Sequence, residues 1–228
     1  MSGDMNTSLG NIIQMCCMIH SILRRNNITA SFINDGDDGV IFLEQRDLPK
    51  LLSIIEKECL IFGHEVTLEE PAYCIEQIEF CQCKFIFRNE NEVVAVRDIK
   101  SSFDKDSVCL DPLDSPRYAR KWMRAVGDCG LSLTSGLPVL QWYYQLFRDQ
   151  SDVAAKHLRS EGLRIVSKGM GDPKFAPVTA LCRYSYWKAF GVSPDQQMEQ
   201  EVLWQKTEID HVINTWKHKF KTHPLHLL

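Results

Sequence analysis

The chain has 228 residues, 44% hydrophobic and 25% charged, with a formal net charge of −4. That is the composition of one or two packed globular units, and it is too acidic for a protein whose whole task is to coat nucleic acid. No apolar run approaches the roughly 18 to 20 residues of a membrane-spanning helix, and the first residues lack the pattern of a signal peptide.

The charge is uneven. Up to Cys83 there are 5 Lys and Arg against 13 Asp and Glu, and from Lys84 onward 21 against 17. An acidic first part suits metal binding and a mildly basic second part suits polyanion contact; both also fit a merely solvated surface. The nine cysteines are odd in number and lack the spacing of a disulfide framework or a zinc site,. Buried thiols in a reduced, cytosolic protein are expected.

In chain order, Leu9, Ile12, Ile13, Cys16, Cys17, Ile19, His20 and Leu23 recur at helical spacing after a polar turn, and the helix ends at Arg24 to Asn27,. Two β-prone runs, Ile28 to Ile33 and Val40 to Leu43, flank Asn34-Asp35-Gly36-Asp37-Asp38-Gly39 and predict a β-hairpin,. A second helix is expected over Leu48 to Phe62, with Pro49 in its first turn and Gly63 beyond its end,. Ile75 to Cys81 and Lys84 to Phe87 predict a second hairpin. From about Asn89 the pattern is mostly helical, with helices expected over 116–127, 137–150, 151–161, 176–190 and 195–220. The fold class is therefore α+β, with a boundary near Asn89.

Gly36-Asp37-Asp38 stands at the tip of the first hairpin. Adjacent carboxylates at a tight turn repel, and a divalent cation offsets that repulsion. Hard oxygen donors suit Mg²⁺, and in nucleotidyl transfer two metals about 3.5–4 Å apart stabilise the attacking and leaving oxygens. An exposed turn with no ligand fits the same residues, since Asp-Gly is favoured there anyway. Upstream, Ser2, Gly3, Thr7 and Asn11 lie at a helix entrance, and Thr7 and Asn11, four residues apart, share a helix face,. Both side chains can hydrogen-bond a ribose 2′-hydroxyl; helix capping by Ser2, Asn6 or Thr7 is the other reading.

Together the segments have a known order. Ser2-Gly3, Thr7 and Asn11, followed 25 residues after Asn11 by Gly36-Asp37-Asp38, resemble motifs B and C of viral RNA-dependent RNA polymerases. Ile75-Glu76-Gln77-Ile78-Glu79-Phe80-Cys81-Gln82 resembles motif E, the hairpin joining palm to thumb. The stretches Trp122 to Val139 and Tyr184 to Gln197 resemble the thumb of the tombusvirus-like group, so the likeness runs from Ser2 to about Leu203.

The resemblance implies a partial palm over 1–88 (helix, Gly-Asp-Asp hairpin, helix, second hairpin) and a mainly helical thumb over 89–228. It implies Asp37 as the principal catalytic metal ligand for Mg²⁺ or Mn²⁺, with Asp38 assisting the second metal or tuning the site. Ser2, Gly3, Thr7 and Asn11 would bind the nucleotide. Phe80, Cys81 and Gln82 would support the 3′ end of the growing RNA. The implied partners are template and nascent RNA, ribonucleoside triphosphates and the upstream remainder of the polymerase chain. Membrane attachment in such viruses is often carried by upstream or partner segments, and the implied location is the host cytoplasm at membrane-associated replication complexes.

The pattern departs from the family twice. Motif A, with its spaced aspartates, and the basic fingers segment have no counterpart, which implies a fragment that is inactive alone. Where relatives carry a basic residue after the motif D helix, this chain reads Gly63-His64-Glu65-Val66; His64 could serve as an acid or be a plain surface histidine. A non-catalytic RNA-binding relic of a polymerase is the alternative function. Cys81 and Cys83, and Trp142-Tyr143-Tyr144, are expected to pack rather than to bind.

Overall fold

A computed structural model describes residues 7–109, 116–152 and 172–209. Among these, mixed α and β elements form two compact units: residues up to Tyr73 with Glu79–Gln82, and Cys74–Ile78 with the chain from Cys83 onward.

In the first unit, α1 (Thr7–Arg25) leads into an antiparallel hairpin of β1 (Ala30–Asp35) and β2 (Asp38–Leu43), followed by α2 (Leu48–Ile61). The helix α1 stops because Asn27 turns left-handed at φ 51. Ile28 N–H then returns to Leu23 O and Asn27 N–H to Arg24 O, which satisfies carbonyls that the helix end would leave open,. Ile28 is thereby placed in the core beside Met18, Ile19 and Ile22. The alternation of β1 turns Ala30, Phe32 and Asn34 toward the interior, and Leu51, Ile55 and Cys59 of α2 close the core. The same closing motif ends α2, where His64 N–H reaches Cys59 O and Gly63 N–H reaches Leu60 O,.

The expected first helix, first hairpin and second helix are all present. The second hairpin differs from expectation. Ile75–Gln77 is a single tight helical turn, and only Glu79–Phe80 is extended, as the short strand β3. In the second unit, β4 (Cys83–Asn89) pairs with β5 (Glu92–Val96), setting Lys84 opposite Val96 and Ile86 opposite Val94. Residues 92–96 therefore form a strand inside the region expected to be helical. The cause is local: Glu-Val-Val-Ala-Val is rich in β-branched residues and follows a polar turn, which favours strand over helix.

The remaining helices are α3 (Ile99–Asp106), α4 (Pro116–Thr134), α5 (Leu140–Asp149), α6 (Ala180–Phe190) and α7 (Pro194–Lys206). Tyr143, Phe147, Tyr186, Leu131 and Trp204 form their core with Ile86 and Val96 of the strands. Trp142-Tyr143-Tyr144 packs as expected, with the two tyrosines buried. α5 begins at Leu140, later than the expected 137, because Val139 adopts φ 61, ψ −57 and Leu140 N–H bonds Pro138 O at 2.6 Å. This tight three-residue turn is strained for a β-branched residue. Glu201 Oε1 accepts the Val139 N–H at 3.0 Å, and Arg183 grips the same carboxylate through two hydrogen bonds of 2.9 Å. α6 starts at Thr179's cap rather than at 176, after a stretch containing Pro173 and Pro177. Ser193 and Gln196 form a reciprocal capping box on α7,. Most of the helix expected at 151–161 and the last part of that at 195–220 lie outside the described residues.

None of the nine cysteines is joined in a disulfide. Burial was the expectation, yet only Cys59 and Cys182 are buried, while Cys16, Cys17, Cys81 and Cys129 are exposed. Cys81 sits on a turn, with both its backbone and its thiol in contact with the first hairpin's carboxylates.

Candidate active site

The hairpin tip is tighter than the sequence pattern implied. The strands run to Asp35 and Asp38, which face each other on the last rung, leaving a two-residue turn of Gly36 and Asp37. Gly36 has φ +76, the value that a hairpin turn with a positive first central residue demands and that glycine adopts without steric cost. Asp37 and Asp38 are both exposed, so their carboxylates are open to ligands from solvent.

Asn34 links this tip to α1. Its amide donates to Ile12 O of the helix and to Gly36 O of the turn, each at 3.4 Å, and its Oδ1 accepts from the Cys16 thiol at 3.2 Å. Thr7 and Asn11 are on the same helix as Ile12, Thr7 half-buried and Asn11 exposed. Sequence reasoning missed Asn34. The available signal was its parity with Phe32, which aims it at the helix.

Phe80 is half-buried in β3, and Cys81 and Gln82 are exposed on a turn with φ 53 and 60. Cys81 N–H donates to Asp38 Oδ2 at 3.0 Å, and its thiol to Asp35 Oδ2 at 3.6 Å. The structure thus brings Asp38 and Cys81 together. Ser2 and Gly3 lie outside the described residues. His64 follows the end of α2, where its Nε2 is 2.7 Å from Gln14 Nε2.

Could these residues hold a metal? Carboxylate oxygens are the right donors for Mg²⁺. Among the described residues, however, no group of three His, Cys, Asp or Glu side chains is placed to hold an ion. Asp37 and Asp38 are donors of that kind, and both are exposed.

Comparison with known proteins decides the family. The family model described as viral RNA dependent RNA polymerase matches residues 1–212. The chain belongs to the viral RNA-dependent RNA polymerase family. It is 39% identical over 205 residues to the RNA-directed RNA polymerase of Maize chlorotic mottle virus, covering 88% of this chain and 21% of the relative. It is 38% identical over 221 residues to that of Tobacco necrosis virus, covering 94% and 30%. For the polymerase of Tomato bushy stunt virus the identity is 34% over 211 residues, covering 92% and 26%. This member of the polymerase family therefore spans between 21% and 30% of the length of these relatives. The tombusvirus-like resemblance holds along nearly the whole chain.

Proposed function

We propose that this chain is the C-terminal part of an RNA-directed RNA polymerase of a positive-strand RNA virus, with residues 1–88 belonging to the palm and 89–228 to the thumb. The observation that carries the reading is the Gly36-Asp37 turn, which presents exposed carboxylates on a hairpin braced to the helix of Thr7 and Asn11. In the parent protein the reaction would be attack of the RNA 3′-hydroxyl on a ribonucleoside triphosphate, directed by template RNA, with release of pyrophosphate.

Asp37 would be the principal ligand of Mg²⁺ or Mn²⁺, with Asp38 tuning the site from outside the ligand set and the remaining ligands supplied by upstream chain. The bound metals would supply charge neutralisation at the phosphates. Ser2, Gly3, Thr7 and Asn11 would contact the incoming nucleotide, the hydroxyl and amide side chains reading its ribose. Phe80, Cys81 and Gln82 would support the primer end. On this reading the parent works in the host cytoplasm at membrane-associated replication complexes. No helix among the described residues is long and apolar enough to cross a membrane.

The test is Asp37→Asn in the full-length polymerase that contains this chain. RNA synthesis should fall at least about a hundredfold, the scale seen when charge stabilisation is removed from a reacting phosphate or acyl centre, while RNA affinity is retained. Near-normal synthesis refutes the metal assignment. Full RNA binding by a wild-type parent that never synthesises RNA would point to the non-catalytic relic.

A further inference from the structure

The three carboxylates at the hairpin tip are not equivalent. Asp35 and Asp38 oppose each other on the last rung of the ladder, where like charges repel. Asp37 lies between them in the turn and is exposed. The two opposed carboxylates both accept from one residue, Asp38 from the Cys81 N–H at 3.0 Å and Asp35 from the Cys81 thiol at 3.6 Å.

That residue sits in a costly conformation. Cys81 and Gln82 both have positive φ, and neither is the glycine, asparagine or aspartate that such a turn ordinarily uses. A donor from Cys81 relieves the repulsion between Asp35 and Asp38, and the paired carboxylates in turn hold the backbone of Cys81. Each feature is unfavourable by itself, and the contact offsets both.

We propose that Asp38, backed by Asp35, is a positioning residue: it clamps the Cys81–Gln82 turn and leaves Asp37 as the metal ligand of the pair. The link to RNA rests on the polymerase reading, since the turn is then where the primer 3′ end is supported. The clamp itself does not depend on that reading.

Two substitutions separate clamp from ligand. Asp38→Asn keeps an acceptor oxygen for the Cys81 N–H but loses the charge a metal needs, whereas Asp38→Ala loses both. In the 228-residue chain, the Cys81 amide should exchange with solvent about fivefold to tenfold faster in Asp38→Ala than in wild type. Asp38→Asn should stay within about twofold. In the full-length polymerase, Asp38→Ala should weaken apparent affinity for the 3′ end of an annealed RNA primer–template by about fivefold. Asp38→Asn should recover that affinity, and the Mg²⁺ concentration for half-maximal synthesis should be the same in both variants as in wild type.

Unchanged Cys81 exchange in Asp38→Ala overturns the clamp. A Mg²⁺ midpoint raised alike in Asp38→Asn and Asp38→Ala overturns the division of roles and makes Asp38 a ligand. If the wild-type parent shows no synthesis, the polymerase reading fails, and amide exchange still decides the clamp.

Discussion

At position 130 a methyl group would lie 1.9 Å from Cδ1 of Tyr144. That ring cannot simply step aside. Tyr144 is buried, its hydroxyl donates to Asp106 Oδ2 at 2.6 Å, and Tyr143 packs edge-on against it with centroids 4.9 Å apart. Burial and the neighbouring Asp106 carboxylate both push the Tyr144 phenol up, so it remains a hydrogen donor at any ordinary pH. Gly130 is therefore a spacing residue, which lets α4 and α5 approach over an aromatic face. Gly130→Ala should destabilise the chain by about 2–4 kcal/mol, the upper range for overpacking a rigid site. Urea unfolding followed by tryptophan fluorescence measures it. A loss below about 0.5 kcal/mol, the size of an ordinary surface change, would show that the helices can separate freely.

Single turns and strands raise the question of what fixes them. Ile75–Gln77 reads as strand in the sequence, yet it winds into a tight turn whose Glu76 is 4% exposed. The Glu76 carboxylate accepts from the Ser185 hydroxyl at 3.2 Å and from Lys188 Nζ at 3.0 Å, both on α6. Burial alone would raise this carboxyl. The bonds from Lys188, from its own backbone and from Cys74 outweigh burial and hold it below its ordinary 4.5. A depressed carboxyl stabilises the fold fully above the unfolded value, and that contribution drains away as pH falls through the folded one. Wild-type stability should thus drop as pH falls below 4.5, and Glu76→Gln should flatten that part of the curve,. Urea midpoints taken at successive pH values compare the two proteins, and parallel curves would show that Glu76 does not titrate against Lys188.

The same contrast explains what was legible. The helices α1 and α2 and the first hairpin could be read because period, caps and turn residues agree within a few positions of each other. β5 is equally local in origin, and it falls in the stretch after Asn89 that is expected to be mostly helical. The late start of α5 is not readable, since Val139 is fixed by Glu201, 62 residues away; that of α6 is, since Pro177 and the Thr179 cap are local. Of the site, Asp37 and Asp38 stand in the sequence. The Asn34 strut and the Cys81 cap do not, because each joins residues from separate elements.

For the whole molecule, charge and ligand count point the same way. From Lys84 onward the excess of Lys and Arg is only 21 against 17. Among the described residues several of those cations already have acidic partners: Arg124 and Arg148 share Asp128, Arg183 holds Glu201, Lys188 holds Glu76, Arg88 pairs with Glu92 and Arg97 with Asp106. A guanidinium committed to a carboxylate releases little from the counterion atmosphere of RNA. The chain by itself should therefore bind RNA no tighter than the roughly 10⁻⁶ M limit of non-specific contact at physiological salt, and the affinity should fall as salt rises. Among the described residues no group of three candidate metal ligands is placed together. With Mg²⁺, template and triphosphates, the isolated chain should then synthesise no more RNA than its own Asp37→Asn variant, whereas the full-length polymerase should synthesise RNA and lose that activity on the same substitution. Mg²⁺-dependent synthesis by the isolated chain, abolished by Asp37→Asn, would mean that the missing ligands lie within these 228 residues and that the tip is a complete site.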